Sequence, residues 1–292
     1  MKTVKYLMKK IIILLGIFFC CVTVAEAKAT KHHKHKHKHV VHSQKCKKVT
    51  ESFSPTRANI LLVNLTDNSI INGEYSNNKV SIASISKLMT VYTVLKSNQD
   101  FDEVLTVTNR LSNHTRLAKG MTLTRRDLVK LALVHSDNLA AQTLAENFPG
   151  GYHSFIYEMN KNAVNLGMNS TVFYEPTGLD PNNSSTLNDI AILTMTASHY
   201  QTFRDAAKSE NVTITANKGK KTYKIVANAT NKMFGKEGVI TIKTGFTNAA
   251  GFCITMLVNI DNKLYNLVIL GARSSQERQK IIERSLQTLR YI

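Results

Sequence analysis

The chain has 292 residues, 43% of them hydrophobic, which suits one large globular domain or two small ones and identifies no function alone. Its 38 lysines and arginines against 20 acidic residues give a formal net charge of +18. Such charge alone would suit nucleic acid, but the export signal described next makes nucleic acid an unexpected partner.

Lys2, Lys5, Lys9 and Lys10 precede an apolar run from Ile11 to Val24, which ends in the small-x-small pattern Ala25-Glu26-Ala27. This reads as a secretory signal peptide over residues 1–27, too short for the roughly 20 apolar residues of a spanning helix. The expected location is therefore outside the cytoplasm, in the periplasm or cell envelope. Cys20 and Cys21 lie inside the run behind Phe18 and Phe19, without the small residues of a lipoprotein signal.

Cleavage leaves 34 basic and 19 acidic residues, a net charge of +15, and eight of those lysines fall between Lys28 and Lys48 with no acid among them. Residues 28–54 contain the alternation Lys31-His32-His33-Lys34-His35-Lys36-His37-Lys38-His39, which has no apolar residue to bury and is expected to be disordered. It reads as a linker or as an arm attracted electrostatically to anionic envelope polymers; unframed histidines make poor metal sites. Cys46 in this arm and Cys253 in an apolar strand are the two cysteines left after cleavage, and Cys253 is expected to be a buried free thiol.

From Ala58 a hairpin is predicted: Ile60-Leu61-Leu62-Val63, a turn at Thr66-Asp67-Asn68, then Ile70-Ile71. Leu88, Met89, Val91, Tyr92, Val94 and Leu95 then recur with helical spacing. Thr124-Arg125-Arg126-Asp127 and Thr186-Leu187-Asn188-Asp189 have the form of capping boxes ahead of apolar runs, so the middle of the chain is expected to be mostly helical. Strands return at Val239 to Lys243, Phe252 to Ile260 and Leu264 to Leu270, with a turn at Asp261-Asn262-Lys263, and a basic amphipathic helix is predicted from Ser275 to Ile292. The fold class expected is α/β of the α+β type: one antiparallel sheet built from both chain ends, flanked by helices, with a helical lobe inserted between. Residues 55–292 form the catalytic domain in this reading.

Three short signals carry the chemistry: Ser84-Ile85-Ser86-Lys87, Ser136-Asp137-Asn138 and Lys243-Thr244-Gly245. Each is weak alone, since Ser76-Asn77-Asn78-Lys79 fits the first pattern and Ser209-Glu210-Asn211 the second. Context selects. Ser76 lies in a polar turn, whereas Ser84 opens the apolar-periodic run, and residues three apart on a helix share a face, which brings the Lys87 amine to the Ser84 hydroxyl. Lys243 ends the β-branched run Val239-Ile240-Thr241-Ile242, so an edge strand presents it. Serine, two lysines and asparagine in this order describe a serine acyl-transfer enzyme.

The trio resembles active-site-serine penicillin-binding proteins and class A β-lactamases. The flanking strings Ile82 to Thr90, Asn138 to Gly151, Glu175-Pro176-Thr177-Gly178-Leu179 and Lys243 to Gly251 sharpen this to the low-molecular-mass penicillin-binding proteins, within them most closely the D-alanyl-D-alanine endopeptidases, over roughly residues 55–290. The chain stops after its final helix, where carboxypeptidase relatives usually continue into a β-rich domain and anchor, so a soluble or peripherally held enzyme is expected. Asp137 stands where such endopeptidases often carry glutamate.

The resemblance implies attack by Ser84 on the bond between two D-residues of peptidoglycan peptides. Lys87 is the implied general base, Ser136 relays a proton to the leaving amine, and Asn138 holds the substrate amide or Lys87. Burial and a second cation, for which Lys243 is the candidate, are expected to keep Lys87 neutral, a task worth roughly 4 kcal/mol for about 3 pK units. Backbone amides of Ser84 and Phe246 are the implied oxyanion hole; Gly245 belongs to that strand, and Thr244 and Arg273 are candidate carboxylate ligands, Arg273 equally a solvated helix-start residue. β-Lactam antibiotics are expected as covalent inhibitors; no metal and no cofactor are called for. His114, His153 and His199 are scattered, and His135 beside Ser136 points away from it as helix neighbours do. Two rivals stand beside this reading: a β-lactamase using Glu175, and a catalytically inactive wall-binding module. The extra Gly178 in the glutamate loop argues against the first, and the intact trio against the second.

Overall fold

The computed structural model describes residues 58–72, 78–109 and 114–289. The expected signal peptide, the histidine-lysine stretch, Cys46 and Ser76 lie outside the described residues. In chain order the elements are β1 (Asn59–Asn64), β2 (Ile70–Asn72), β3 (Val80–Ser81), α1 (Ser86–Lys96), β4 (Val104–Thr106), β5 (Thr122–Thr124), α2 (Arg125–Lys130), α3 (Asn138–Glu146) and α4 (Gly151–Asn165). There follow β6 (Ser184–Ser185), α5 (Leu187–Ser198), α6 (Gln201–Ala207), β7 (Asn211–Lys218), β8 (Lys221–Asn228), β9 (Val239–Thr247), β10 (Gly251–Ile260), β11 (Lys263–Ala272) and α7 (Ser275–Leu289).

Both chain ends build one five-stranded antiparallel sheet in the order β2-β1-β11-β10-β9. The β10–β11 turn is closed by Asp261 and Asn262, both at positive φ, the two-residue geometry whose twist matches a hairpin. Helices α5 and α7 pack on the sheet, so β10 and β11 read as near-continuous buried runs instead of alternating ones. Two polar contacts register α5 on the sheet: Thr194 to Thr255 at 2.6 Å, and Asn266 Nδ2 to the Ala191 carbonyl at 2.8 Å.

Helix α1 is the spine. Every residue from Ser86 to Val94 is buried, because α3, α4, α5 and the helical turn Leu131–His135 surround it. Both sequence-predicted caps form on one side only: the Thr124 and Thr186 hydroxyls accept from the Asp127 and Asp189 amides. The Asp189 carboxylate instead ties down Ser170 and Thr171.

The middle is mostly helical as expected, but it also holds strands that the sequence reading did not foresee. β4, β5, β7 and β8 form a second, four-stranded antiparallel sheet. Its ribbon β7–β8 was hidden because only β7 alternates cleanly, with Val212, Ile214 and Ala216 buried, while β8 is a polar edge strand exposed from Lys221 to Lys224.

Candidate active site

Ser84 sits in a single tight turn, Ala83–Ile85, that leads directly into α1, two residues before that helix starts. Ala83 holds φ at +46°, a conformation an alanine adopts only when its surroundings impose it. Two glycines allow those surroundings to close in. An added Cβ at Gly245 of β9 would lie 2.9 Å from the Ser84 amide nitrogen, and one at Gly178 would lie 1.9 Å from the Ala83 carbonyl oxygen. The edge strand and the 175–180 loop therefore clamp the serine turn from two directions, and only hydrogen side chains fit.

Lys87 is completely buried one helical turn on. Its ammonium nitrogen donates to Ser84 Oγ at 2.8 Å, Asn138 Oδ1 at 2.8 Å and the Thr177 carbonyl at 2.7 Å. Ser84 Oγ also reaches the Thr177 carbonyl at 3.3 Å. Burial pulls Lys87 from its ordinary 10.5 down to about 7, although the Glu175 and Asp137 carboxylates pull the other way. Of the two expected causes, burial is the one that lowers Lys87; Lys243 is not among the charges that shift it.

Ser136 follows a wide helical turn, Leu131–His135, and adopts φ +61°, which interrupts the helix and aims its hydroxyl at Lys243. Lys243 Nζ donates to Ser136 Oγ at 2.8 Å and to the Thr244 carbonyl at 2.9 Å. Lys243 is fully buried, and burial, then Lys87, then Arg278 drive its proton affinity well below normal. Asp137 caps α3 through the Ala140 amide and binds Thr115 Oγ1 at 2.9 Å and the Arg116 amide at 2.6 Å. Its short side chain fastens the second motif to the preceding segment while Ser136 and Asn138 face the lysines.

Thr244 is buried and shares a 2.5 Å contact with Thr230. Phe246 is half exposed and stacks on Phe252 with ring centroids 4.1 Å apart. Arg273 is not brought to the cluster: its guanidinium pairs with Glu277 at 3.2 Å on the surface, the solvated alternative. Glu175 is spent on its own loop, accepting from the Thr177 amide and hydroxyl, the Gly178 amide and Asn183 Nδ2. It shapes the turn that offers the Thr177 carbonyl to Lys87.

Sequence reasoning missed several neighbours. The Thr177 carbonyl was signalled only by its place in the quoted 175–179 string. Arg278, buried with its guanidinium on the Cys253 carbonyl, carried no motif. Cys253 is buried, which pushes its thiol up to about 11. The histidines are not all scattered: His114 stacks on His135 at 4.8 Å, donates to the His135 carbonyl, and accepts from the Asn138 amide through its own carbonyl. His135 in turn donates to the Asn228 carbonyl at 2.9 Å.

A buried serine-lysine pair facing a second serine-lysine pair, on a sheet of both termini with a helical lobe, defines a serine hydrolase. The family model described as D-alanyl-D-alanine carboxypeptidase matches residues 46–274, and the chain belongs to that family. The D-alanyl-D-alanine endopeptidase of Escherichia coli is 36% identical over 219 residues, 73% of this chain and 70% of that protein. The D-alanyl-D-alanine endopeptidase of Pseudomonas aeruginosa is 36% identical over 200 residues, 66% of this chain and 64% of that protein. Among solved structures, a variant of the Streptomyces K15 DD-transpeptidase shares the fold with a TM-score of 0.74 at 23% identity, covering 80% of this chain and 97% of that one. Penicillin-binding protein D2 of Listeria monocytogenes, in its ampicillin-bound form, has a TM-score of 0.68 at 27% identity, covering 79% and 96%.

Proposed function

We propose that the protein is a penicillin-sensitive D-alanyl-D-alanine endopeptidase, with carboxypeptidase activity on the same bond type, acting on peptidoglycan peptides outside the cytoplasm. The observation that carries the reading is the 2.8 Å contact between Ser84 Oγ and a lysine whose proton affinity burial has brought to about 7. At neutral pH a substantial share of Lys87 is then the free amine a general base must be.

In this reading neutral Lys87 takes the Ser84 proton as Oγ attacks the carbonyl carbon between the D-residues. The backbone amides of Ser84 and Phe246 receive the oxyanion, at about 3 kcal/mol per donor in comparable hydrolases. Ser136, bonded to Lys243, passes a proton to the nitrogen as the carbon–nitrogen bond breaks and is resupplied with the proton that Lys87 took from Ser84, leaving an ester on Ser84 and Lys87 neutral again. Water, deprotonated by Lys87, then cleaves that ester, restoring the serine. Asn138 holds Lys87 in place, Thr244 meets the substrate carboxylate, and Phe246 walls the strand side. The names of the two 36%-identical relatives favour the endopeptidase preference. Export is supported by the 1–27 pattern, and the basic arm by its charge suits anionic envelope polymers.

A β-lactamase is disfavoured by Glu175, whose carboxylate is saturated by its own loop instead of holding a water over Ser84. Incubation with purified cross-linked muropeptide dimers, followed by mass spectrometry, tests the proposal: wild-type protein converts dimers to monomers and Ser84→Ala does not. Cleavage retained by Ser84→Ala contradicts it, and intact dimers with released D-alanine reassign the preference to carboxypeptidase.

A further inference from the structure

The β7–β8 ribbon is a cationic surface that the chemistry at Ser84 does not use. Lys218, Lys220, Lys221 and Lys224 cluster at its tip, where Gly219 at φ +57° closes the turn. All four are exposed, and none is ion-paired with an acid among the described residues. Residues 211–230 contain no aspartate or glutamate, nor do residues 114–124, which add exposed Arg116 and Lys119. The two segments adjoin: β5 pairs with β7 at Thr122 and Asn217, and an added Cβ at Gly120 would lie 3.6 Å from Lys218 Cε.

Position gives this charge its meaning. The base of the ribbon is built into the cluster around Ser136: the Asn228 carbonyl receives His135, the Thr230 amide donates to the Val134 carbonyl, and the Thr230 hydroxyl meets Thr244. From Asn228 the strand runs to Lys221, about 23 Å at ~3.3 Å per residue. Its outer face is lined by Thr213, Thr215, Asn217, Thr222 and Lys224, hydroxyls, an amide and an ammonium, with exposed Val226 opposite Thr213 near its base. β8 is the sheet edge, so nothing in the sheet covers this side.

We propose that the ribbon is a docking track for polymeric peptidoglycan, binding the free carboxylates of stem peptides that lie beyond the one in the cleft. This rests on the peptidase reading above, which supplies a polymer that carries several carboxylates and leaves the cleft beside Asn228. Charge complementarity of this kind raises local substrate concentration and weakens with salt. Small substrates that fill only the cleft do not reach it.

The test compares four full-length proteins: wild type, Ser84→Ala, a ribbon variant with Lys218, Lys220, Lys221 and Lys224 each changed to glutamine, and a charge-matched control with Lys96, Lys236, Lys263 and Lys280 changed to glutamine. Co-sedimentation with purified sacculi across a sodium chloride series reads docking, and acylation by a fluorescent penicillin reads the cleft. The ribbon variant is expected to bind sacculi about tenfold more weakly at low salt, the order for four exposed ion pairs. Its salt dependence should be shallower than that of wild type, the remainder coming from the basic arm, and it should still acylate at the wild-type rate. Ser84→Ala keeps full sacculus binding, so docking is scored independently of whether the peptidase reading survives. Unchanged sacculus binding by the ribbon variant overturns the proposal, as does an equal loss in the control variant, which makes bulk charge the cause. Loss of binding to anionic phosphatidylglycerol vesicles with sacculus binding intact also overturns it, in favour of a lipid surface.

Discussion

Burying Lys87 has a cost that pH reveals. Its displacement from 10.5 to about 7 is about 3.5 pK units, or about 5 kcal/mol of disfavoured charge in the folded protein. The unfolded chain keeps its proton up to about 10.5, whereas the folded one releases it near 7. Between these values the unfolded state binds more protons, so this lysine makes stability rise with pH; the gain is complete above 10.5 and lost as pH falls through 7. Lys87→Met removes that contribution while leaving every other titrating group in place. Chemical denaturation of both proteins at pH 7, 8, 9 and 10 should show wild type gaining on the variant by about 1.4 kcal/mol per pH unit. A difference flat with pH means that Lys87 holds its proton normally in the fold. It then cannot be a base for Ser84 at neutral pH, and the mechanism fails.

Two other substitutions test the frame around the site. Gly178→Ala forces a side chain into a φ of +83° and onto the Ala83 carbonyl; left-handed backbone alone costs about 1–2 kcal/mol. A lower Tm together with at least about tenfold slower acylation by penicillin is expected on a loss of that size, and unchanged acylation shows that the loop does not brace the serine turn. Thr124→Ala deletes the α2 cap and should cost about 1 kcal/mol in denaturant unfolding without slowing acylation, because Thr124 touches no group of the cluster.

Elements with strong local signals were legible in the sequence. The terminal strands announced themselves through β-branched runs, and α1 through apolar spacing that a fully buried helix preserves. The Ser84–Lys87 contact was legible from the three-residue spacing, although Ser84 lies in the tight turn ahead of α1. What the sequence concealed was set by tertiary contact. β8 looks like loop because its exposed edge begins Lys221, Thr222, Tyr223 and Lys224. Ser136 reaches Lys243 only because residue 136 takes a left-handed turn that no propensity favours at serine. The His114–His135 stack joins residues 21 apart, and the Thr177 carbonyl acts through backbone, which side-chain motifs do not show. Arg273 illustrates the converse: a plausible charge near a strand end satisfied by Glu277, four residues along the same helix start.

The most direct test of the central claim is the intact mass of the protein through time after mixing with excess penicillin, with the modified residue mapped by peptide sequencing. The account predicts one long-lived penicilloyl adduct on Ser84, absent from Ser84→Ala. An adduct on any other residue contradicts it, as does rapid clearance of the Ser84 adduct while penicilloic acid accumulates, the behaviour of a β-lactamase.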